Sequence, residues 1–85
     1  MRIVYAEEFT GEFRKLPKDV RELFRIQEAI FRENWRDPRL HTKKLRDHSH
    51  AFSFRITRRY RVLFVFTERD VVLFATIGHR KDVYR

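Results

Sequence analysis

The sequence contains no cysteine, two glycines, two prolines and no long apolar segment. Without cysteine, disulfides and thiolate metal sites are excluded, which fits a reducing compartment. No glycine-rich loop is present to cradle a phosphate, and no apolar run approaches the ~18 residues of a membrane span. The first twenty residues are mixed and charged, unlike the apolar stretch of a signal peptide. We therefore expect a cytoplasmic protein that does not associate with membranes.

Aromatic side chains and positive charge are what the chain has in abundance. Its 85 residues include nine Phe, three Tyr and one Trp, which supply the apolar area that one small core needs. We predict one domain over residues 1–85. The net charge of +8 lies in the second half, because residues 7–37 hold seven Lys/Arg and eight Asp/Glu, whereas residues 38–85 hold twelve and four. Such a basic segment attracts polyanions, most commonly nucleic acid, although it is also compatible with a solvated surface.

Helical periodicity is confined to the first half of the chain. Residues 2–6 predict a short strand, and apolar residues at helical spacing then predict a short helix that ends at Pro17. A second apolar stripe predicts a helix from Pro17 to about Asn34, ahead of Asp37 and Pro38. We interpret this stripe as core packing. Residues 39–50 lack periodicity and are predicted to form a basic connecting loop.

From Ala51 onward the apolar period changes to two. The pattern predicts three consecutive strands, joined by turns at residues 57–59 and 67–70, that form an antiparallel meander. The first turn lacks the glycine that is usual in a tight hairpin. The predicted fold class is therefore α+β: a short N-terminal strand, two helices, and a three-stranded antiparallel meander that forms one sheet packed on the helices.

The register of the first hairpin follows from keeping its large apolar residues on one face. A three-residue turn sets Phe54 opposite Val62 and Phe52 opposite Phe64. A slip of one residue would destroy that apolar face, so the register is well determined.

The same register sets Arg55 directly across from Arg61 on the other face, and a four-residue second turn would bring Thr76 beside Arg61. Opposed like charges destabilise a sheet, so we expect an anion between them. A guanidinium presents a planar fork of donors that matches phosphate oxygens, and it keeps its charge near neutrality. We therefore predict a phosphate clamp, with neutralisation by Asp47, Asp82 or the C-terminal carboxylate as the alternative.

The tail Gly78–Arg85 follows the last strand and carries groups that can transfer protons. An unperturbed imidazole such as that of His79 titrates at about pH 6.5, and cations beside Tyr84 would favour its phenolate. Cleavage of RNA needs a base for the 2′-hydroxyl, charge stabilisation at the phosphate, and an acid for the departing 5′-oxygen. The sheet and the tail together offer all three without a metal ion.

Three further histidines, His41, His48 and His50, lie in the predicted basic loop. No cysteine or carboxylate partner stands with them at ligand spacing. We therefore predict no metal site, and nothing in the sequence implies a cofactor.

The ordered segments Lys43–Arg46, Phe52–Ile56, Tyr60–Phe64 and Ile77–Tyr84 resemble the RelE branch of the RelE/ParE toxin superfamily. The resemblance covers nearly the whole chain. It implies the toxin of a type II toxin–antitoxin pair, an endoribonuclease that needs the ribosome but no metal. Such an mRNA interferase cuts messenger in the ribosomal A site through attack of the 2′-hydroxyl, and thereby inhibits translation. The implied partners are messenger, 16S rRNA and a cognate antitoxin, with which the toxin forms an oligomer.

The resemblance also implies roles for single residues. Arg61 matches the strand arginine that stabilises the transition state, Arg80 the second arginine after the last strand, and Tyr84 the C-terminal tyrosine. His79 stands in place of a lysine and is similar to a C-terminal histidine that related toxins use for proton transfer. The general base therefore remains open between Tyr84 and His79.

Two positions differ from the RelE pattern. Arg55 stands where RelE has a lysine implicated in activity, which keeps the charge, whereas Ser53 stands where RelE has a further lysine, so one basic contact is missing. The residues expected to contact RNA or phosphate are Arg55, Lys43, Lys44, Arg46, Arg58, Arg59 and Lys81.

An antitoxin surface is predicted beside the basic face. Two short helices cannot easily cover both faces of the sheet, so an apolar strip should remain beside the arginines as a landing site for an acidic helix or peptide. The residues expected to form this strip, on the same face as Arg55 and Arg61, are Leu63, Val65, Val72 and Phe74.

Two other functions fit parts of the pattern. ParE proteins are similar in fold but poison DNA gyrase by binding, without aligned acids and bases. A degenerate relative would bind RNA without cutting it. The combination of Arg61, Arg80 and Tyr84 favours the nuclease over both.

Overall fold

A computed structural model of the chain describes residues 1–84; Arg85 and the C-terminal carboxylate, which belong to the predicted basic tail, lie outside the described residues. The helices are α1 (Glu7–Arg14), α2 (Lys18–Glu33) and α3 (Arg80–Val83), with a 3-10 turn at Pro38–Leu40. The strands are β1 (Arg2–Tyr5), β2 (Lys43–Lys44), β3 (Ala51–Arg55), β4 (Tyr60–Glu68) and β5 (Val71–His79). None of the helices in the described part is long and apolar enough to cross a membrane.

The strands form one mixed sheet in the order β1-β5-β4-β3-β2. β1 is parallel to β5, and all other neighbours are antiparallel. The predicted α+β class, with a short first strand, two helices and a meander, is confirmed. The sheet has one strand more than expected, because β2 forms inside the segment predicted as a loop. Two residues are too few to show an alternating pattern in the sequence.

The 3-10 turn that precedes β2 is held by Asp37. Its carboxylate accepts hydrogen bonds from the backbone N–H of Arg39, at 2.9 Å, and from the Arg39 guanidinium, at 2.8 and 3.0 Å. These hydrogen bonds lower the pKa of Asp37 to about 2. His41 then ends the turn in the left-handed region, at φ 49°. The chain thereby reverses into β2, which pairs with β3 at the edge of the sheet.

The predicted register of the first hairpin is confirmed. Phe52 lies opposite Phe64, and Arg55 lies opposite Arg61. The turn needs no glycine because the Thr57 hydroxyl accepts hydrogen bonds from the backbone N–H groups of residues 59 and 60, at 3.1 and 3.2 Å. The threonine side chain therefore provides the hydrogen-bond acceptor that these two backbone N–H groups need.

The predicted register of the second hairpin is wrong. Arg61 lies opposite Gly78, and Thr76 lies opposite Leu63, where its hydroxyl donates to Glu12 at 3.0 Å. Pairing continues further toward the second turn than expected, and irregularities interrupt it between residues 63 and 64 and between residues 66 and 68. Since a bulge adds a residue to one strand only, counting from the turn misplaces the partner. Arg61 therefore faces a residue without a side chain.

Aromatic packing between α2 and the sheet forms the core. Phe31 is fully buried, and its ring lies 5.2 Å from that of Phe54, 4.9 Å from that of Phe64 and 5.2 Å from that of Phe74. α1 adds Phe9, which packs against Phe74 in the same layer. The interpretation of the α2 stripe as core packing is confirmed for Val20, Phe24, Ile30 and Phe31, whereas Leu23 of the same stripe is exposed.

Two residues of the predicted antitoxin strip belong to this core instead. Val72 and Phe74 are fully buried on the helix side of the sheet, so the prediction is wrong for both. β5 is apolar along most of its length, and a strand without alternation does not reveal which residues face which side. Leu63 and Val65 are half-buried and alternate with core residues of β4, so they remain on the other face.

We expect Phe31→Ala to lower the free energy of unfolding by roughly 3–5 kcal/mol, because it leaves a cavity among three aromatic rings. Urea unfolding followed by circular dichroism measures the change. Ile26→Ala, on the exposed side of α2, is the matched control and should change stability by about 0.5 kcal/mol or less. A loss at Phe31 no larger than that at Ile26 would contradict this description of the core.

Candidate active site

The face of the sheet opposite the aromatic core carries the opposed arginines, and we call it the site face. The guanidinium of Arg61 is anchored on the first hairpin turn, where Nη1 donates to the carbonyl oxygens of Thr57 at 2.7 Å and Arg58 at 3.0 Å. Both hydrogen bonds start from one of the three guanidinium nitrogens. The guanidinium is thereby held in position while its other donors can serve a ligand.

The electrostatics of Arg61 show which residues surround it. Burial lowers the pKa of its guanidinium below the ordinary value, and the positive charge of Arg55 lowers it further. The Tyr84 hydroxyl raises the pKa of Arg61, and the charge of Arg80 lowers this pKa by a smaller amount than that of Arg55. Arg55, Arg80 and Tyr84 are therefore the neighbours whose charges and dipoles act on Arg61. We call Arg55, Arg61 and Arg80 the arginine cluster.

No carboxylate neutralises the arginine cluster within residues 1–84. The ion pairs in this part of the chain join Glu28 to two arginines of α2 and Asp37 to Arg39. Neither Asp47 nor Asp82, the neutralising carboxylates considered above, forms one. The Nε of Arg55 is buried and has no hydrogen-bond partner among the described residues. Buried polar atoms normally have partners, so the unsatisfied Nε adds to the unfavourable placement of Arg55 beside a second guanidinium.

The tail is fixed against the first hairpin. β5 extends to His79, two residues beyond the predicted end, and the chain then turns into α3. The backbone N–H of Arg80 donates to the carbonyl of Arg59 at 2.7 Å. The ring of His79 packs edge-on against Tyr60 with centroids 5.8 Å apart, and its Nδ1 accepts the backbone N–H of Lys81 at 3.2 Å. His79 therefore caps α3.

Tyr84 lies over β3 because α3 packs on the sheet through the buried Val83. Its hydroxyl is 2.8 Å from the Oγ of Ser53, while the side chain as a whole stays exposed. Ser53 itself is buried. This hydrogen bond was not predicted from the sequence. The sequence does place Ser53 on the face of Arg55, because the two residues are two positions apart on one strand.

The predicted RNA contacts divide between the two faces. Lys43 pairs with Ser53 and so lies on the site face, whereas Lys44 pairs with Phe52 and lies on the other. There Lys44 and Trp35 line a cavity of about 390 Å³. The remaining predicted contacts are exposed or half-buried on the hairpin, the loop and the tail: Arg46, Arg55, Arg58, Arg59 and Lys81.

A second cavity, of about 320 Å³, opens beside Tyr84 on the site face. Arg46 and Leu63 line it together with Tyr84 and Val83. A cation and a carboxylate of the loop, Arg46 and Asp47, therefore meet the phenol of the tail and Leu63 of β4 in one place. Among residues 1–84, no group of three His, Asp or Glu side chains lies close enough together to hold a metal ion.

No protein-family model and no curated protein sequence matches the chain. Solved structures do match it in fold. Over 95% of this chain and 94% of the other, it is similar to a chain of the RelB–RelE antitoxin–toxin complex from Methanococcus jannaschii, with a TM-score of 0.78 and 19% identity. It is similar along its whole length to YafQ from E. coli strain BL21(DE3), with a TM-score of 0.79 and 11% identity.

The intact E. coli RelBE toxin–antitoxin complex matches with 25% identity and a TM-score of 0.73, over 92% of this chain and 94% of the other. These neighbours share one fold at low sequence identity. The chain therefore has the fold of RelE-like toxins, and the resemblance predicted from the sequence is confirmed at that level.

We expect Arg55→Gln to raise the free energy of unfolding by roughly 0.2–1 kcal/mol at low ionic strength, because it removes one of two opposed like charges. The gain should shrink at high salt, which screens the repulsion. Chemical denaturation at two salt concentrations measures it. Arg69→Gln, in the exposed turn at the other end of β4, should show no such gain. A loss of stability in Arg55→Gln would contradict the repulsion.

Proposed function

We propose that this chain is the toxin of a type II toxin–antitoxin pair and acts as a ribosome-dependent mRNA endoribonuclease that needs no metal. The observation that carries the proposal is the arginine cluster, without a carboxylate partner within residues 1–84, beside the exposed phenol of Tyr84. The cations suit a phosphate, and the phenol suits proton transfer next to it. The RelE-like fold supports the same assignment.

The proposed reaction is attack by the 2′-hydroxyl of a nucleotide on its own 3′-phosphate. The new O–P bond forms a 2′,3′-cyclic phosphate, the P–O5′ bond breaks, and the departing 5′-oxygen takes a proton from solvent water. Arg61 stabilises the charge that builds on the phosphate oxygens, and its anchoring on the turn carbonyls limits the reorganisation needed in the transition state. Arg80, exposed at the start of α3, stabilises the departing 5′-oxygen.

Tyr84 suits the role of general base better than His79. The Nδ1 of His79 already accepts the Lys81 N–H, so a neutral His79 carries its proton on Nε2 and has no free lone pair. Protonation at Nδ1 would break the cap of α3. The Tyr84 side chain is exposed, and its hydroxyl lies near the Arg61 guanidinium, so it stands beside the proposed phosphate site. Tyr84 therefore takes the proton of the 2′-hydroxyl.

The ribosome supplies what the chain lacks. The candidate groups lie on an open face of the sheet and not in an enclosed cleft, so the ribosome would align the messenger against them. Exposed cations on three segments around the site suit the phosphates of 16S rRNA in the A site. They are Lys43, Arg46, Arg58, Arg59 and Lys81.

The protein partner is a cognate antitoxin. Neighbours of the same fold are solved as antitoxin–toxin complexes. On this chain, Leu63 and Val65 form an apolar strip beside the arginine cluster, and an acidic antitoxin segment fits both. Such a segment would block the cavity beside Tyr84, and the two chains would form an inactive oligomer.

We expect Arg61→Ala to lower the rate of messenger cleavage on ribosomes by at least about 10²-fold, because it removes charge stabilisation from the transition state. Tyr84→Phe should cost about 10²–10⁴-fold as the loss of a general base, whereas His79→Ala should keep most of the activity. The measurement is single-turnover cleavage of messenger programmed into ribosomes, mapped by primer extension. Circular dichroism verifies that each variant is folded.

Arg69→Ala is the control, since Arg69 is an exposed arginine at the far end of β4. Wild-type cleavage by Arg61→Ala would remove Arg61 from the chemistry. A larger loss in His79→Ala than in Tyr84→Phe would make His79 the base. Intact messenger together with inhibition of gyrase supercoiling would overturn the nuclease in favour of a ParE-like inhibitor.

We expect Leu63→Glu to weaken antitoxin binding at least tenfold, because it places a carboxylate in the apolar strip opposite an acidic partner. Calorimetry with the cognate antitoxin measures the affinity. Ile26→Glu makes the same chemical change on the exposed side of α2 and should leave the affinity unchanged. Equal affinities for the two variants would move the antitoxin surface away from the site face.

A further inference from the structure

Ser53 is the one buried polar residue of β3, and its environment is specific. It stands between Phe52 and Phe54 with 1% of its surface exposed. Among residues 1–84, the Tyr84 hydroxyl, at 2.8 Å, is the hydrogen-bond partner of its Oγ. A hydroxyl in such a site needs a partner, because burying it without one is costly. The packing of β3 and the position of the tail are therefore linked through this bond.

We propose that Ser53 is a positioning residue that orients the Tyr84 hydroxyl and stabilises its phenolate; the catalytic part of this inference rests on the proposed nuclease function. A serine hydroxyl has one proton to donate and lone pairs to accept with. It can accept from the phenol before proton transfer and donate to the phenolate after it. The second arrangement is the stronger bond, because the acceptor is charged.

Two further features make Ser53 suited to this role. β3 is an inner strand of the sheet, held by β4 on one side and β2 on the other, so the Oγ is fixed by the sheet. Tyr84, by contrast, follows a four-residue helix at the end of the described chain and is itself exposed. The Oγ on this inner strand can thus fix the direction of the exposed Tyr84 side chain, whose backbone is held by the packing of Val83.

The cross-strand partner of Ser53 is a cation. Lys43 lies directly opposite Ser53 on β2, and side chains opposed in an antiparallel pair are about 4.5–5.5 Å apart at Cβ. Lys43 therefore lies on the same face as Ser53, on the side of β3 away from β4 and Arg61. Ser53 supplies direction through a hydrogen bond, and the surrounding cations supply charge.

The test is the pH dependence of single-turnover cleavage in Ser53→Ala, with Ser49→Ala as the matched control because Ser49 is an exposed loop serine. We expect the pH at which the rate rises to increase by about one unit, so that cleavage near neutrality falls about tenfold and recovers at alkaline pH. Ser53→Thr restores the hydroxyl and should return the profile toward wild type. A loss of equal size at every pH, or an unchanged profile, would overturn the proposal.

A double-mutant cycle separates an effect through Tyr84 from a general one. If Ser53 acts through Tyr84, Ser53→Ala should have little further effect in the Tyr84→Phe background. Additive losses would mean that Ser53 acts elsewhere, for example on the packing of β3.

A measurement without ribosomes separates this inference from the nuclease proposal. Carbon-13 labelling of tyrosine rings allows the Tyr84 Cζ signal, assigned with Tyr84→Phe, to be followed through a pH titration of the free protein. We expect its midpoint to lie about one pH unit higher in Ser53→Ala than in Ser49→Ala. If the midpoint shifts but the protein does not cleave messenger, the link between Ser53 and Tyr84 stands and the proposed nuclease function is wrong. An unchanged midpoint would overturn the link itself.

Discussion

Burial of Phe54 and Phe64 against Phe31 is the constraint on which the candidate site depends. Side chains alternate along a strand, so once these rings face α2, the register of β3 on β4 has one solution. That solution brings Arg55 against Arg61 on the opposite face. The packing of α2 thus determines the arrangement of charges on the opposite face of the sheet. The repulsion between the two arginines is a local cost that the aromatic core offsets.

The first hairpin turn connects this constraint to the tail. Its carbonyl groups accept hydrogen bonds from the Arg61 side chain at Thr57 and from the Arg80 backbone at Arg59. One turn of the chain therefore holds both an arginine of the sheet and the first residue of α3. Tyr84 reaches its place through the same attachment, together with the burial of Val83. The attachments of the tail thus also bring Tyr84 to Ser53 on the site face.

The site face combines two properties that seldom coexist in a protein without partners. It carries cations that no carboxylate neutralises within the described residues, and beside them lie the half-buried apolar side chains of Leu63 and Val65. Both features are unfavourable in an isolated chain, since the cations repel each other and the apolar surface is wetted. Both become favourable when an anionic ligand or an acidic, amphipathic protein covers the face. The two proposed partners, RNA and antitoxin, therefore compete for one surface.

The sequence by itself determined α1, α2, the meander and the opposition of Arg55 and Arg61, because periodic apolar patterns specify local structure and, in a hairpin of known turn length, the register as well. Only the tertiary structure decided the rest. Apolar residues do not alternate with polar ones along most of β5. The side of the sheet on which Val72 and Phe74 lie therefore depends on bulges that the sequence pattern does not predict. β2 is too short to have a pattern, and the bond between Ser53 and Tyr84 joins residues 31 positions apart. Such contacts arise from the packing of a whole sheet, which local periodicity does not encode.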